Sequence, residues 1–461
     1  QIKMTYVEEK FGDLTKPRIN VMLFGDVDAG KSTIAGHLVY RCGPESYKKK
    51  VEKYETKAAQ LGKHDVKYAW VMDKLLAERE RGITIDISLK MIESPRHLIT
   101  LIDTPGHHNF IKNMITGAAQ ADCGILIISA TAVEQQQSFG SAMLREHLLL
   151  AYSMGVRQLI VCVNKMDEKS VAFKEDKFTN IVRSLTHLIE RIRFNIQSVP
   201  FIPISGWDGD NLVERSNRMP WYNGPTLLMA LDNVTGAPQL INKPLRVPIH
   251  HNFKIGGVGT VLCGRVETGV MDVGMDVSVF PGHFSDNTTL YGYHNYIPSL
   301  EPGDNVSFNI RQSNKFIKRG AVTGAYHNDP PAKAAKFIVQ IMILNHPTEI
   351  RAGYTPVVCC HTARVACRFS NIIAKINTAT SKIIQRDDGD NTPIVLHNGE
   401  AALVELVPLK PMCVESFYEY PPLGRVVIQD MHRTIAVGII TSVSKLRPLM
   451  SMTTWPTPYV L

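Results

Sequence analysis

The chain has 461 residues, of which 44% are hydrophobic and 20% are charged, and its formal net charge is +8. This hydrophobic content excludes a disordered or low-complexity chain and is enough for the cores of roughly three domains. The positive net charge suits a polyanionic partner, although a mild excess of lysine is also common on ordinary soluble proteins.

Cysteine usage and the lengths of the apolar runs indicate the compartment. The eight cysteines form no C-x-x-C pairs. Cys123 and Cys162 fall inside strand-like apolar runs, so we expect reduced, buried side chains. No run of about 18 uninterrupted apolar residues is present, and the first residues lack the apolar core of a signal peptide. We therefore expect a cytoplasmic protein with no membrane partner.

Apolar runs and amphipathic, helix-length segments alternate up to about residue 235. The runs predict strands over residues 19–24, 98–102, 124–128, 159–163 and 201–204. Alternating strands and helices are typical of a mostly parallel sheet with helices on both faces. We therefore predict an α/β domain over residues 1–235, with any ligand bound at the carboxyl ends of the strands.

The pattern changes to short alternating strands after Lys243-Pro244. Leu245, Val247 and Ile249 alternate with polar or small neighbours, and Gly-rich turns such as 256–257 follow, which is typical of a β-barrel. Pro330-Pro331 breaks the chain, and a second all-β stretch follows. We predict β-barrel domains over 244–328 and 333–446 and a C-terminal tail over 447–461.

A phosphate-binding loop follows the first predicted strand. The segment 25–32 reads GDVDAGKS and fits G-x-x-x-x-G-K-[ST] between a strand and a helix. In such a loop Lys31 reaches the β- and γ-phosphates and the Ser32 hydroxyl binds Mg²⁺. Alone, the loop does not show whether the bound nucleotide is ATP or GTP. The predicted phosphate-side residues are Gly25, Asp26, Val27, Asp28, Ala29, Gly30, Lys31, Ser32 and Thr33.

Three more motifs follow later strands and identify the base. They are Asp103-Thr-Pro-Gly106, Asn164-Lys-Met-Asp167 and Ser205-Gly-Trp207. Each alone could be an ordinary strand-end turn, but the four together, in this order, indicate a guanine nucleotide.

The third motif discriminates guanine from adenine. Guanine offers an N1–H and a 2-amino group on one edge, and the Asp167 carboxylate can accept both hydrogen bonds. Adenine lacks these donors, so a buried carboxylate would stay unpaired against it. Asn164 can hold neighbouring loops together, and the Lys165 stem can lie along the base. The backbone of Ser205 and Gly206, next to Trp207, closes over the guanine carbonyl.

These motifs, with Arg79-Glu-Arg-Gly-Ile-Thr84-Ile, resemble the translational GTPases, and more narrowly the elongation factor 1-alpha family. The similarity extends over roughly residues 18 to 445. It includes the segments YAWVMDKL (68–75), FKIGGVGT (253–260), GRVETG (264–269), NHP (345–347) and KPMCVESF (410–417).

The resemblance implies a P-loop G domain followed by two β-barrel domains. It also implies a cycle in which aminoacyl-tRNA is delivered to the ribosomal A site and GTP is hydrolysed on codon recognition. A guanine-nucleotide exchange factor and actin are further implied partners.

The resemblance also implies roles in hydrolysis. Ser32 and Thr84 would be Mg²⁺ ligands, and Asp103 would hold the ion through water. The Gly106 N–H would meet the γ-phosphate, and His107 would orient the attacking water.

Two further roles come from the same resemblance. Val27 and Ile83 would form an apolar gate that keeps His107 away until the ribosome acts. Asp28 would help to bind a monovalent cation, or alternatively would be a turn residue that satisfies backbone N–H groups.

Contacts with aminoacyl-tRNA are implied for the first barrel. Arg265 and Glu267 lie where the family contacts aminoacyl-tRNA, the alternative being an exposed hairpin pair. Asn305 follows a turn that the family uses beside the aminoacyl group. The run Lys48-Lys49-Lys50 fits a solvated helix face better than a nucleic-acid site.

The chain also departs from the family pattern. Asp26 stands where the family usually has His, and His108-Asn109 replaces Arg-Asp. The stretch between Thr288 and Asn305 is shorter than in the family, so we expect a looser pocket for the tRNA 3′ end. The lysine-rich tail of the family is absent from the sequence.

Two other functions compete with tRNA delivery. One is a related GTPase of termination or ribosome rescue, whose partner is a protein shaped like tRNA. The other is a cytoskeletal or membrane binding protein with little activity. The intact Lys31, Thr84, His107 and Asp167 disfavour the latter.

Overall fold

The structure is a computed structural model. It describes residues 12–13, 15–60, 66–131, 142–236, 240–255, 259–281, 283–285, 288–290, 299–310, 317–377, 382–386, 394–431 and 433–446. The predicted tail over 447–461, the turn at 256–257 and part of the shortened stretch before Asn305 lie outside these residues.

A six-stranded sheet forms the first domain. Its spatial order is β2-β3-β1-β4-β5-β6, and every neighbouring pair is parallel except β2 with β3. The strands are β1 (Arg18–Phe24), β2 (Ser88–Glu93), β3 (Leu98–Asp103), β4 (Cys123–Ser129), β5 (Gln158–Asn164) and β6 (Phe201–Pro203). The predicted mostly parallel sheet is confirmed, and β2 is an additional edge strand that the sequence reasoning missed.

Helices cover both faces of this sheet. Side chains alternate along β1, so that Val21 and Leu23 enter one hydrophobic core while Met22 and Phe24 enter another. The helices are α1 (Lys31–Cys42), α2 (Glu45–Gln60), α3 (Ala69–Met72), α4 (Leu76–Arg81), α5 (Ile111–Ala118), α6 (Ala142–Met154), α7 (Glu175–Arg191) and α8 (Leu227–Asp232). Short 3₁₀ turns occupy His108–Phe110, Ile196–Ser198 and Pro421–Leu423.

The second domain is built from antiparallel strands. Seven of them pair in the order β11-β10-β15-β7-β8-β14-β12, and β9 pairs with β13. Phe308 and Val279 lie in their common core. The strands are β7 (Val247–Ile255), β8 (Gly259–Arg265), β9 (Met271–Asp272), β10 (Val277–Phe280), β11 (His283–Ser285), β12 (Thr288–Leu290), β13 (Ser299–Leu300), β14 (Asn305–Ile310) and β15 (Val322–Ala325).

The third domain is a closed antiparallel sheet. The order β17-β21-β22-β16-β20-β18-β19 is closed by a further pairing of β17 with β18. Closure leaves few free strand edges. The strands are β16 (Lys333–Ile343), β17 (Val357–Cys360), β18 (Ala363–Ile376), β19 (Ile383–Arg386), β20 (Ala401–Pro408), β21 (Arg425–Asp430) and β22 (Arg433–Leu446). The predicted change to all-β structure after the first domain is confirmed.

A buried arginine joins the two β domains. Arg246 has no exposed side-chain surface and donates from Nη2 to Asp329 Oδ2 at 2.7 Å and from Nε to Glu415 Oε1 at 3.0 Å. Its guanidinium also stacks over the Tyr420 ring. Two carboxylates, one from the segment between β15 and β16 and one from the third domain, therefore compensate the buried charge.

The cysteines are thiols. All eight are free, and seven of them are buried, as the sequence predicts. Among the described residues, no helix is long and apolar enough to cross a membrane.

Candidate guanine-nucleotide site

The phosphate loop connects β1 to α1 and is tightly enclosed. A Cβ on Gly25 would lie 2.2 Å from the Ile127 carbonyl oxygen. Gly30 has φ +94°, and its Cβ would lie 2.3 Å from Asn164 Nδ2. Only glycine fits both positions, so the loop packs directly against the end of the central strand and the third motif.

Lys31 is held within this loop. Its side chain is buried, and Nζ donates to the Asp26 carbonyl oxygen at 2.6 Å. Burial lowers the pKa of Lys31, while the carboxylates of Asp103 and Asp26 oppose that effect. A Cβ on Gly106 would lie 2.5 Å from Lys31 Nζ, so the second motif meets the first at this ammonium.

Three oxygen-bearing side chains converge at the start of α1. Ser32 Oγ donates to Asp103 Oδ2 at 2.6 Å and lies 3.0 Å from Thr84 Oγ1. Asp103 is fully buried, and its Oδ1 has no hydrogen-bond partner among the residues that the structure describes. Burial raises the pKa of Asp103 to about 6, against the opposing effects of Ser32 and Lys31. Hydroxyl and carboxylate oxygens in this arrangement fit Mg²⁺.

The third motif joins two of the other loops around the cleft. Asn164 Nδ2 donates to the Ala29 carbonyl oxygen at 2.8 Å, and its Oδ1 accepts from the Gly206 N–H at 2.8 Å. Lys165 adopts a left-handed backbone conformation with φ +64°. This single amide side chain therefore ties the phosphate loop to the fourth motif.

The four motifs meet in one cleft with a volume of about 550 Å³. The predicted site residues on its wall are Val27, Asp28, Gly30, Lys31, Ser32, Thr33, Ile83, Thr84, Gly106, His107, Asn164, Lys165, Asp167 and Trp207. Gly25, Asp26, Ala29, Asp103, Ser205 and Gly206 belong to the same loops and stand behind this wall. Residues from four distant parts of the chain are thus brought together.

His107 lies at the edge of the cleft. Its Nδ1 accepts from the Asn109 N–H at 3.2 Å, and its ring stacks on His108 with centroids 4.4 Å apart. Val27 and Ile83 line the same cleft, and Val27 is 38% exposed. The imidazole and the two apolar side chains therefore share one opening.

Sequence reasoning missed Asp73 as a wall residue. It lies at the end of α3 and lines the cleft with Trp70. Burial, Glu78 and Asp103 together raise the pKa of its carboxyl to about 7. Its segment carried the family resemblance, but no feature of its spacing pointed to the nucleotide.

The three predicted tRNA residues lie elsewhere, between the first two domains. Arg265 Nη2 donates to Asp122 Oδ1 at 2.6 Å, and Nη1 lies 3.5 Å from Glu267 Oε2. Asn305 Nδ2 donates to Asn20 Oδ1 at 2.6 Å. Arg265 and Glu267 are only 6% and 8% exposed, so the alternative of an exposed hairpin pair is wrong.

Comparisons with known proteins agree with this arrangement. Residues 16–237 match the elongation factor Tu GTP binding domain, and residues 336–441 match the GTP-eEF1A C-terminal domain-like family. Elongation factor 1-alpha of Tetrahymena pyriformis is 48% identical over 433 residues, which cover 93% of this chain and 98% of that protein.

Two solved structures share the fold. The Saccharomyces cerevisiae Ski7 GTPase-like domain, bound to GDP and inorganic phosphate, has a TM-score of 0.73 at 18% identity, covering 92% of this chain and 97% of that one. Elongation factor SelB of Methanococcus maripaludis has a TM-score of 0.64 at 17% identity, covering 94% and 80%. Because the 48% identity extends over nearly the full length of both chains and two domain families match, we conclude that the chain is a GTPase that belongs to the elongation factor 1-alpha family of translation factors.

Proposed function

We propose that this GTPase carries aminoacyl-tRNA to the ribosomal A site and hydrolyses GTP on codon recognition. The observation that carries the proposal is the 48% identity to an elongation factor 1-alpha over 98% of that protein's length. The matched length includes both β domains as well as the G domain. We place this cycle in the cytoplasm, where the ribosomes are.

Hydrolysis would depend on positioning rather than on covalent chemistry. Lys31 and the loop N–H groups would hold the β- and γ-phosphates. Ser32 and Thr84 would hold Mg²⁺ directly and Asp103 through water, and the ion supplies charge neutralisation when bound. The unpartnered Asp103 Oδ1 supports this assignment.

The attacking water would be oriented by His107. The ring lies at the cleft, and a positioned imidazole is a suitable group for this step. Val27 and Ile83 would restrain it until the ribosome is engaged. Thr84 would report the γ-phosphate and the Gly106 N–H would meet it, so loss of that phosphate would release the two loops that carry Thr84 and Gly106.

The 3′ end of tRNA would bind beside the second domain. We propose the division 1–235, 244–328, 333–446 and 447–461, with Arg265, Glu267 and Asn305 as tRNA contacts. Because Arg265 is bonded to Asp122 and Asn305 to Asn20 of the first domain, binding requires that interface to open. An exchange factor, actin and a monovalent cation at Asp28 remain predictions.

The test is capture from lysate on the protein loaded with a non-hydrolysable GTP analogue. We expect aminoacyl-tRNA to be recovered, and recovery of a release-factor-like protein instead would favour termination or rescue.

A second experiment is filter binding of charged and uncharged tRNA across a salt series. It measures two contributions to tRNA affinity, one from the phosphates and one from recognition of the charged 3′ end. Affinity should fall as salt rises because lysine and arginine meet phosphates, and the shortened stretch before Asn305 should weaken discrimination against uncharged tRNA. Absence of binding to either tRNA at low salt would reject delivery.

A further inference from the structure

Glu78 is a buried carboxylate to which the hydrolysis scheme assigns no role. It is the third residue of α4, and it is 2% exposed. Its Oε2 accepts from the backbone N–H groups of Lys74 at 2.9 Å and Leu75 at 2.8 Å. Its Oε1 accepts from the N–H groups of Ile85 at 3.0 Å and Asp86 at 3.1 Å. One side chain therefore satisfies four backbone donors.

The four donors belong to two separate segments. Two precede α4, and the other two immediately follow Thr84, whose hydroxyl lies 3.0 Å from Ser32 Oγ in the cleft. Hydrogen bonds to an ionised carboxylate are roughly twice as strong as those between neutral groups. Because the carboxylate is buried, water cannot easily replace these bonds.

The opposite side of the same backbone is also held. The Ile85 carbonyl oxygen accepts from Asn113 Nδ2 at 2.6 Å. Asn113 belongs to α5, which follows the second motif. Ile85, the residue that follows Thr84, is thus fixed through its N–H by Glu78 and through its C=O by Asn113.

We propose that Glu78 is a positioning residue that holds Thr84 at the cleft and thereby favours GTP over GDP. The inference rests on the proposed role of Thr84, which would hold Mg²⁺ and, by the family resemblance, would also report the γ-phosphate to the loop that carries it. A group that contacts only the triphosphate form contributes only to its affinity. Ordering that group in advance lowers the entropy cost of binding GTP and leaves GDP binding nearly unchanged.

Glu78→Gln is the matched variant, because it keeps the side-chain shape but replaces one acceptor oxygen with an N–H donor. That donor faces two backbone N–H groups, so at least one pair of bonds is lost. We expect affinity for a non-hydrolysable GTP analogue with Mg²⁺ to fall about tenfold or more. GDP affinity should stay within about twofold. The control is Glu80→Gln, an exposed carboxylate on the same helix, which should change neither affinity.

A double-mutant cycle with Thr84→Ala tests whether Glu78 acts through Thr84. In the Thr84→Ala background, Glu78→Gln should lower GTP-analogue affinity by less than about twofold. Additive losses, or an unchanged preference for GTP over GDP in Glu78→Gln, would overturn the proposal. Equal losses for both nucleotides would show a merely structural role.

Two further results keep the test interpretable. If Glu78→Gln does not fold, Glu78→Asp retains both oxygens on a shorter stem and should shift the same preference by a smaller factor; no shift would overturn the proposal. If Thr84→Ala itself leaves GTP-analogue affinity unchanged, the assigned role of Thr84 fails, and the inference about Glu78 fails with it. These equilibrium measurements need neither tRNA nor ribosomes, so they are independent of the delivery function.

Discussion

At the scale of single residues, we propose that base recognition depends on one carboxylate. Asp167 lies on the cleft wall beside Asn164 and Lys165. Asp167→Asn should lower GTP affinity and raise affinity for xanthosine triphosphate, which presents an acceptor where guanine has its 2-amino group. Each mispaired buried group costs about 1–3 kcal/mol, so the preference should move roughly tenfold or more. Competition between the two nucleotides for the variant measures this shift, and an unchanged preference for GTP would mean that the base contact is misassigned.

His107 should contribute to GTP hydrolysis but not to GTP affinity. His107→Ala should bind GTP nearly as tightly as the parent, because the proposed contact is with water rather than with nucleotide. Ribosome-stimulated hydrolysis should fall by about 100-fold or more, the usual effect of losing one positioned catalytic group. Single-turnover rates on ribosomes provide the measurement, with His187→Ala, an exposed histidine on α7 away from the cleft, as the control. Equal rates for His107→Ala and the parent would reject the role.

At the scale of elements, the phosphate loop should not tolerate a Cβ at Gly30. Gly30→Ala would place that atom 2.3 Å from Asn164 Nδ2 and would strain a backbone with φ +94°. Since Asn164 also holds Gly206, we expect both GTP and GDP affinity to fall about tenfold or more.

A second glycine serves as a control that distinguishes backbone strain from steric clash at Gly30. Gly274 has φ +84°, but a Cβ added there would have no atom within 4 Å. Gly274→Ala should therefore lower stability slightly without changing nucleotide affinity. Nucleotide titration of both variants measures the difference, and parental affinity in Gly30→Ala would contradict the enclosed geometry.

The elements that could be predicted from sequence are those with a repeated pattern. Buried strands such as β4 are apolar throughout, and the four motifs have characteristic spacings, so the sheet and the cleft could be anticipated. Strand β2 is an edge strand and only partly buried, so its sequence shows no clear alternation of apolar and polar residues. Glu78 could not be predicted as buried, because a carboxylate in the segment LAERER looks like a solvated helix face. Half of its hydrogen-bond donors, the N–H groups of Ile85 and Asp86, come from the segment beyond the helix.

At the scale of the whole molecule, the contact between the first two domains should respond to pH. Burial raises the pKa of Glu267 to about 7, the nearby Arg265 opposes this effect and Asp122 adds to it. The folded value lies above the ordinary 4.5, so folding is favoured by the protonated carboxyl. That contribution is lost as pH rises from about 5 through about 7.

Glu267→Gln imitates the protonated form and should remove this dependence. We expect its melting temperature relative to the parent to increase between about pH 5 and pH 8. Thermal unfolding of both proteins across that range measures the change, with the exposed Glu301→Gln as control. A difference that stays constant with pH would show that Glu267 does not titrate in this window.

The burial of Arg246 has a mechanical consequence. Its guanidinium is paired with two carboxylates, Asp329 and Glu415. Bending between the two β domains would separate these groups and leave a buried charge without its partners. We therefore expect the second and third domains to move as one rigid body. This unit meets the first domain at contacts such as the hydrogen bond that the Thr434 N–H donates to Glu146 Oε1 at 3.2 Å. A movement of the first domain against this unit would therefore carry the second and third domains together.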